Sequence, residues 1–406
     1  MARSHSQLLW RADEGVSVGS TWDGVAWAER ARSLAPLIRS LRAEGELRFA
    51  MAPDVRDEAG AAGLFRLAAP LGGARPPSLV ELIEVHEELA AADPSVAWAA
   101  ANSNGAFAIL SRLDPAIIAD VLSPDTRFVG VGLPPTGNAE VTADGLVVSG
   151  RWPVVSGASS ADWFLLHCVL RENGVTRTTG SLLDARFVPV PASAVSVEDT
   201  WRGVMAVRGS GSNAVSVEHF VVPDDRSVGM VAASTSSEPV DLLNAASPLA
   251  VQSLELAAVA VGIGRSALAA ATAQAGARIS VVNKSGWAEW SSVQHTIAAA
   301  DMAIETTRAG LHTVTAQAER ELSRGPLSME SRARVHTIAD HAFRAMRHTV
   351  SDLFTVGSID ALRPGHGLEQ ALRDVHGFSV QWERYRRFQY VAGRALLGAD
   401  PNDPLF

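Results

Sequence analysis

A single cysteine, Cys168, in 406 residues excludes an intrachain disulfide and a cage of thiolates around a metal. Clustered positive charge is missing as well. The formal charge is −9 and no Lys/Arg stripe appears, which argues against a nucleic-acid backbone as the principal partner. No uncharged apolar run reaches the roughly 18 residues that a membrane span needs. The opening MARSHSQLLWRADEG lacks the charged start and apolar core of an export signal. The expectation is a soluble chain in a reducing cytoplasm, with neither membrane nor nucleic acid among its partners. At 47% hydrophobic and 19% charged residues the composition is that of an ordinary globular protein. The length predicts two or three domains.

What is present falls into three stretches. Residues 25–48 carry Ala26, Leu34, Leu37, Ile38 and Leu41 at helical spacing. A second helix is predicted after Pro77, with Ser78 as N-cap, Leu79, Leu82, Ile83, Val85 and Leu89 on one stripe, and Asp93-Pro94 as its stop. Residues 95–113 read as an apolar, alanine-rich helix holding Trp98, Asn102, Asn104, Gly105 and Phe107. Its amides need partners, which either the fold or a bound ligand supplies. From 125 to 235 the pattern changes to apolar runs of strand length, at Val147-Val148, Trp152, Val154-Val155 and 163–170, separated by Gly, Ser, Asn and Asp. A polar, proline-interrupted linker begins at Met230. Helical patterns then return at 248–277, 290–322, 327–354 and 368–397, which predicts a four-helix bundle. The reading is an α+β fold with a helical domain over 1–124, a β-domain over 125–235 and a helical bundle over 236–406.

Common catalytic motifs are missing. There is no P-loop, HExxH or CxxC. Gly209-Ser210-Gly211-Ser212 lacks the spacing of a nucleophile elbow and reads as a turn. Gly262-Ile263-Gly264 lies inside a helical run and not between a strand and a helix, so nicotinamide binding is not supported. Three segments of the β-domain remain. Residues 132–138 read as a turn that exposes backbone N–H and C=O groups at a strand end, 150–157 end in Ser156 beside a glycine, and 201–212 lead into another strand. Each one alone is hairpin chemistry.

Taken together, GRWPVVSGASSADWFLL, MAVRGSGSNAVSV and LRDVHGFSVQWER resemble the acyl-CoA dehydrogenase superfamily, and within it the two-component flavin-dependent monooxygenases. The resemblance covers nearly the whole chain. It implies an N-terminal helical domain, a small central β-barrel or sandwich and a C-terminal four-helix bundle, assembled as a homotetramer. It also implies reduced FMN or FAD supplied by a separate NAD(P)H:flavin reductase, with O2 as co-substrate. The reaction implied is oxygenation of an apolar aromatic or heterocyclic small molecule through a flavin hydroperoxide. Two other readings stand beside it: a flavin oxidase or dehydrogenase that keeps its flavin tightly bound, and a non-catalytic ligand-binding paralogue.

The same resemblance implies roles for residues. Ser156 would bond the flavin N5, the backbone around Gly132 and Asn138 would hold the pyrimidine edge, and Trp152 in the next segment is a further cofactor-binding candidate. Arg278 and Gln294 fall where the family contacts the phosphate or adenosine part across a subunit interface, although Arg278 reads equally as a surface arginine. Trp98, Asn102, Phe107, Phe378 and Trp382 are candidates for the substrate pocket, or else core. Trp382 occupies the position of the dehydrogenases' glutamate, and an indole accepts no proton. Glu383 is one residue on, about 100° round a helix, so acyl-CoA dehydrogenation is not expected. In the monooxygenase pattern RDxHxxxxH, His376 matches the first histidine and Gln381 stands at the second. Either His376 supplies the proton chemistry or the reaction needs no deprotonated substrate.

Overall fold

The computed structural model describes residues 22, 24–69, 74–180, 182–229, 242–280, 284–382 and 387–401. Helices α1 (Trp27–Arg48), α2 (Pro53–Ala61), α3 (Leu79–Ala92) and α4 (Pro94–Leu110) come first. Local chemistry sets the limits of α3. The Ser78 side chain accepts from Glu81 N while the Glu81 carboxylate accepts from Ser78 N, a complete capping box. At the other end Asp93 caps α4 through Ser95 N, and Pro94 occupies the first turn. Helix α2 has no counterpart in the periodicity reading, because it is only 9 residues long. It matters all the same, since Arg56 on it pairs with Asp162 and so ties the helical layer to the sheet.

An eight-stranded sheet follows. Its long strands are β1 (Val129–Thr142), β2 (Gly145–Val155), β3 (Trp163–Glu172), β4 (Ala185–Pro191) and β6 (Asn213–Val222), with the short β5 (Ser196–Glu198) and β7 (Val228–Gly229) at its edges. The order is β7-β4-β3-β1-β2-β6-β5, and Val175–Thr176 adds a short eighth strand to β3. β1 and β3 run parallel, whereas the other neighbours are antiparallel. The proline-containing linker expected from Met230 lies outside the described residues.

The segment 132–138 corrects its reading as a strand-end turn. It lies within β1, where the pairing with β3 shifts register between Gly132 and Gly137, so the glycines and prolines mark a bulge. Packing explains them. The Trp152 ring is wholly buried and gives its N–H to His167 O at 2.8 Å. A Cβ on Gly137 would lie 2.1 Å from the Trp152 Cζ2, and one on Gly132 2.8 Å from its Cδ1. Gly137→Ala is therefore expected to lower the unfolding free energy by about 2–3 kcal/mol, the cost of overpacking a rigid ring. A urea titration followed by tryptophan fluorescence checks this.

The C-terminal part contains α5 (Pro248–Ala277), α6 (Ser291–Leu322), α7 (Met329–Val356), α8 (Gly367–Trp382) and α9 (Arg387–Leu396). The last predicted helix is thus described as two segments, with 383–386 between them outside the described residues. By length and composition α5 could cross a membrane, but its most apolar stretch is mostly buried. It packs against α3, α4, α7 and α8, and its small side chains let those helices approach.

Candidate functional site

Three elements from different parts of the chain meet at Ser156. The residue follows β2, is 5% exposed, and accepts the Trp98 indole N–H from α4 at 2.8 Å. The Trp98 ring meets Phe378 of α8 edge to face, with centroids 5.2 Å apart. Ser156 is also 2.9 Å from the Ser212 hydroxyl, which is 2.8 Å from that of Ser210. The turn carrying these serines is bound to the Ser156 turn by Gly157 N donating to Ser210 O at 2.7 Å. Among the described residues no carboxylate or imidazole is hydrogen-bonded to Ser156.

Helix α4 is buried almost throughout, but Trp98 and Gly105 are half-buried and Asn102 between them is 9% exposed. Spacings of four and three place these residues on one stripe. A Cβ added at Gly105 would have nothing within 4 Å, so the stripe borders open space. Asn102 spends its amide N–H on Trp98 O at 2.8 Å, which fixes the orientation of the side chain. No donor among the described residues meets its Oδ1. Asn104 is committed to the fold, accepting from Leu67 N and donating to Leu64 O.

The other sequence candidates lie elsewhere. Trp152 is sheet core and does not line an open face. Gly132 is buried beside it, while Asn138 is exposed on β1. Phe107 is fully buried in the first helical layer, with the Arg66 guanidinium 5.0 Å above its ring. Trp382 stacks on Phe343 at 4.7 Å and donates to Asp340 Oδ1. Arg278 lies over the Trp287 ring at 4.3 Å and pairs with Asp360. Gln294 is exposed and donates to Ala288 O. His376 is exposed, with Nε2 3.4 Å from Ser351 Oγ of α7. It is two residues from both Asp374 and Phe378, which face inward, and two residues are about 200° of helix. The side chain of Gln381 lies outside the described residues. The reading of 209–212 as a turn holds, since Arg208–Ser210 form a 3-10 turn. That reading misses the bond from Ser212 to Ser156, whose partners are 56 residues apart. Cys168 lies inside the sheet, where burial pushes its thiol up to about 12, so it is no nucleophile.

A charged seam supports the Ser210–Ser212 turn. Asp374 on α8 pairs with Arg42 on α1 at 3.0 Å and accepts from Val207 N at 2.8 Å. Arg373 beside it pairs with Glu46. Asp93, also buried, is pushed up to about 6, chiefly by burial and against the pull of Arg42. A carboxyl raised in the folded state is penalised when ionised, so its cost is absent below pH 3.8 and complete above about pH 6. Asp93→Asn, which keeps an acceptor for the helix cap, is expected to gain about 1–3 kcal/mol above that window and nothing at pH 4. Melting curves of both forms across pH 4–8 check this.

A family model described as "Acyl-CoA dehydrogenase, C-terminal domain" matches residues 254–380. Indole-3-acetate monooxygenase of Pseudomonas putida is 30% identical over 300 residues, covering 72% of this chain and 73% of the relative. The oxygenase component of the FADH2-dependent resorcinol hydroxylase of Rhizobium sp. (strain MTP-10005) is 25% identical over 365 residues, 84% and 86% of the two chains. The solved 3-HSA hydroxylase from Rhodococcus sp. RHA1 has the same fold, with a TM-score of 0.84 at 22% identity over 95% of this chain and 100% of that one. The chain belongs to the flavin-dependent monooxygenases of the acyl-CoA dehydrogenase superfamily.

Proposed function

We propose that this protein is the oxygenase component of a two-component system, receiving reduced flavin from a separate reductase and inserting one oxygen atom into an apolar aromatic or heterocyclic ring. The observation that carries the reading is the Ser156 hydroxyl, buried where three parts of the chain meet and bordered by the open Trp98–Asn102–Gly105 stripe. When bound, reduced flavin supplies the electrons that activate dioxygen. The fit lies in the donor set. Trp98 fills one of the two acceptor positions of Ser156, and when Ser156 donates to Ser212 the second is left for one N–H, which N5 of a reduced flavin carries. Ser156 holds that proton in place, and the apolar edges of Trp98 and Phe378 keep water from it.

Asn102 faces the same space with a side-chain carbonyl that no donor among the described residues meets, which suits a ring bearing N–H or O–H. No titratable group among the described residues is hydrogen-bonded to Ser156 or Asn102, and the side-chain carbonyl of Asn102 supports recognition of the substrate by hydrogen bonding. The relatives' names, indole-3-acetate monooxygenase and resorcinol hydroxylase, support a ring that bears N–H or O–H. We further propose a homotetramer working in the cytoplasm, with domains over 1–124, 125–235 and 236–406.

The test is an anaerobic titration with reduced FMN and FAD, followed by exposure to 18O2 with indole and phenol probes. Mass spectrometry should find a single labelled oxygen in product. Binding of oxidised flavin with direct reduction by substrate would overturn the reading in favour of an oxidase.

A further inference from the structure

We propose that Ser212, acting through Ser156, sets the preference of the site for reduced over oxidised flavin. The inference rests on the reading that N5 meets Ser156 and goes beyond it to a positioning residue. A hydroxyl has one proton to give and two acceptor positions, whereas an indole N–H only gives. Trp98 therefore always occupies one acceptor position of Ser156. The Ser156–Ser212–Ser210 chain can then run in two directions. When Ser156 donates to Ser212 and Ser212 to Ser210, Ser156 keeps one free acceptor position, which fits an N–H. When the chain is reversed, both acceptor positions of Ser156 are filled and its own O–H is free, which fits a bare nitrogen. Reduced flavin has N–H at N5 and oxidised flavin has a bare nitrogen there, so the direction of the chain follows the redox state of the ligand.

Removing Ser212 does not affect the two states alike. With N5–H on Ser156, the Ser156 proton loses its acceptor and becomes a buried donor without a partner, which is costly. With a bare N5, Ser156 donates to it and merely leaves one acceptor position unfilled. Ser212→Ala should weaken reduced FMN or FAD about tenfold and leave the oxidised form nearly unchanged. The two-electron midpoint of bound flavin would fall by about 30 mV. Ser212→Thr, which keeps the hydroxyl, should restore both values.

The experiment is an anaerobic titration of oxidised and reduced FMN and FAD against the wild-type chain, Ser212→Ala, Ser212→Thr and Ser156→Ala, with thermal melts as a check on folding. Equal weakening of both redox states in Ser212→Ala, or no change in either, overturns the role of Ser212. If Ser156→Ala leaves the affinity for reduced flavin intact, the placement of N5 at Ser156 is what fails. If Ser156→Ala weakens it while Ser212→Ala shows no redox selectivity, that placement stands and only the hydroxyl chain is refuted.

Discussion

Replacing Ser156 by alanine is expected to uncouple the enzyme: reduced flavin and oxygen continue to be consumed, but product per oxygen falls at least about tenfold, the scale of losing one preorganised polar contact at a reacting centre. Hydrogen peroxide should account for the difference. The cause is local. Ser156 is the only side chain among the described residues that joins the Trp98 indole to the Ser212 hydroxyl; alanine leaves both of those groups without the oxygen they share and, under the proposed placement of the flavin, leaves N5–H without its acceptor. Ser156→Thr retains that oxygen and should retain most of the coupling. The measurement is product by chromatography against peroxide by a peroxidase assay, at matched oxygen uptake. Unchanged coupling in the alanine variant would mean that the hydroxyl does not face the reacting flavin. A modest fall in melting temperature is expected as well, because a buried indole N–H loses its acceptor.

How far this site was legible in the sequence depended on how local its causes are. The ends of α3 could be read because Ser78, Glu81 and Asp93 act within one helical turn. Ser156 could be found only through resemblance, since a serine beside glycine is otherwise ordinary turn chemistry. The glycines at 132 and 137 were read as turn formers, whereas they make room for Trp152, fifteen to twenty residues further along the chain. That cause is tertiary and leaves no periodic signal. For His376 a signal existed. Asp374 and Phe378 are four residues apart and share a face, and the residue midway between them must point away. The pattern RDxH fixes the spacing along the helix but says nothing of which side faces Trp98. Excluding a nucleophile elbow leaves Ser210 and Ser212 with no role legible in the sequence. A hydroxyl need not be a nucleophile to matter; here its use lies in a partner from another turn.

Asp374→Ala should be the most destabilising of these substitutions, by about 3–5 kcal/mol, whereas Asp374→Asn should cost about a third of that. Two observations bear on Asp374 in opposite senses. Its geometry is that of a satisfied ion pair, with Arg42 at 3.0 Å and Val207 N at 2.8 Å, yet its carboxyl is pushed upward, chiefly by burial. Two buried carboxylates, Asp93 and Asp374, share the Arg42 guanidinium, and Arg373 adds its pull on Asp374, yet burial still outweighs these cations, while the oxygen atoms of Asp374 remain essential. Val207 shows why. It is β-branched, yet it sits at φ 51° and ψ 40°, a left-handed conformation that such residues avoid, and it stays there because its N–H is held by Asp374 while its carbonyl accepts from Ser210 N. Asparagine keeps an acceptor for that N–H, but it loses the charge and puts an amide NH2 where Arg42 had an oxygen. Alanine leaves the N–H and Arg42 without their partner and frees Val207 to relax, taking with it the turn that carries Ser210 and Ser212. The expected signature is therefore twofold: a large drop in melting temperature for Asp374→Ala alone, and in the same variant, at a temperature where it is still folded, a loss of redox-selective flavin binding that Asp374→Asn preserves. Equal melting temperatures for the two variants would show that charge, and not the hydrogen bond to Val207, is what Asp374 contributes.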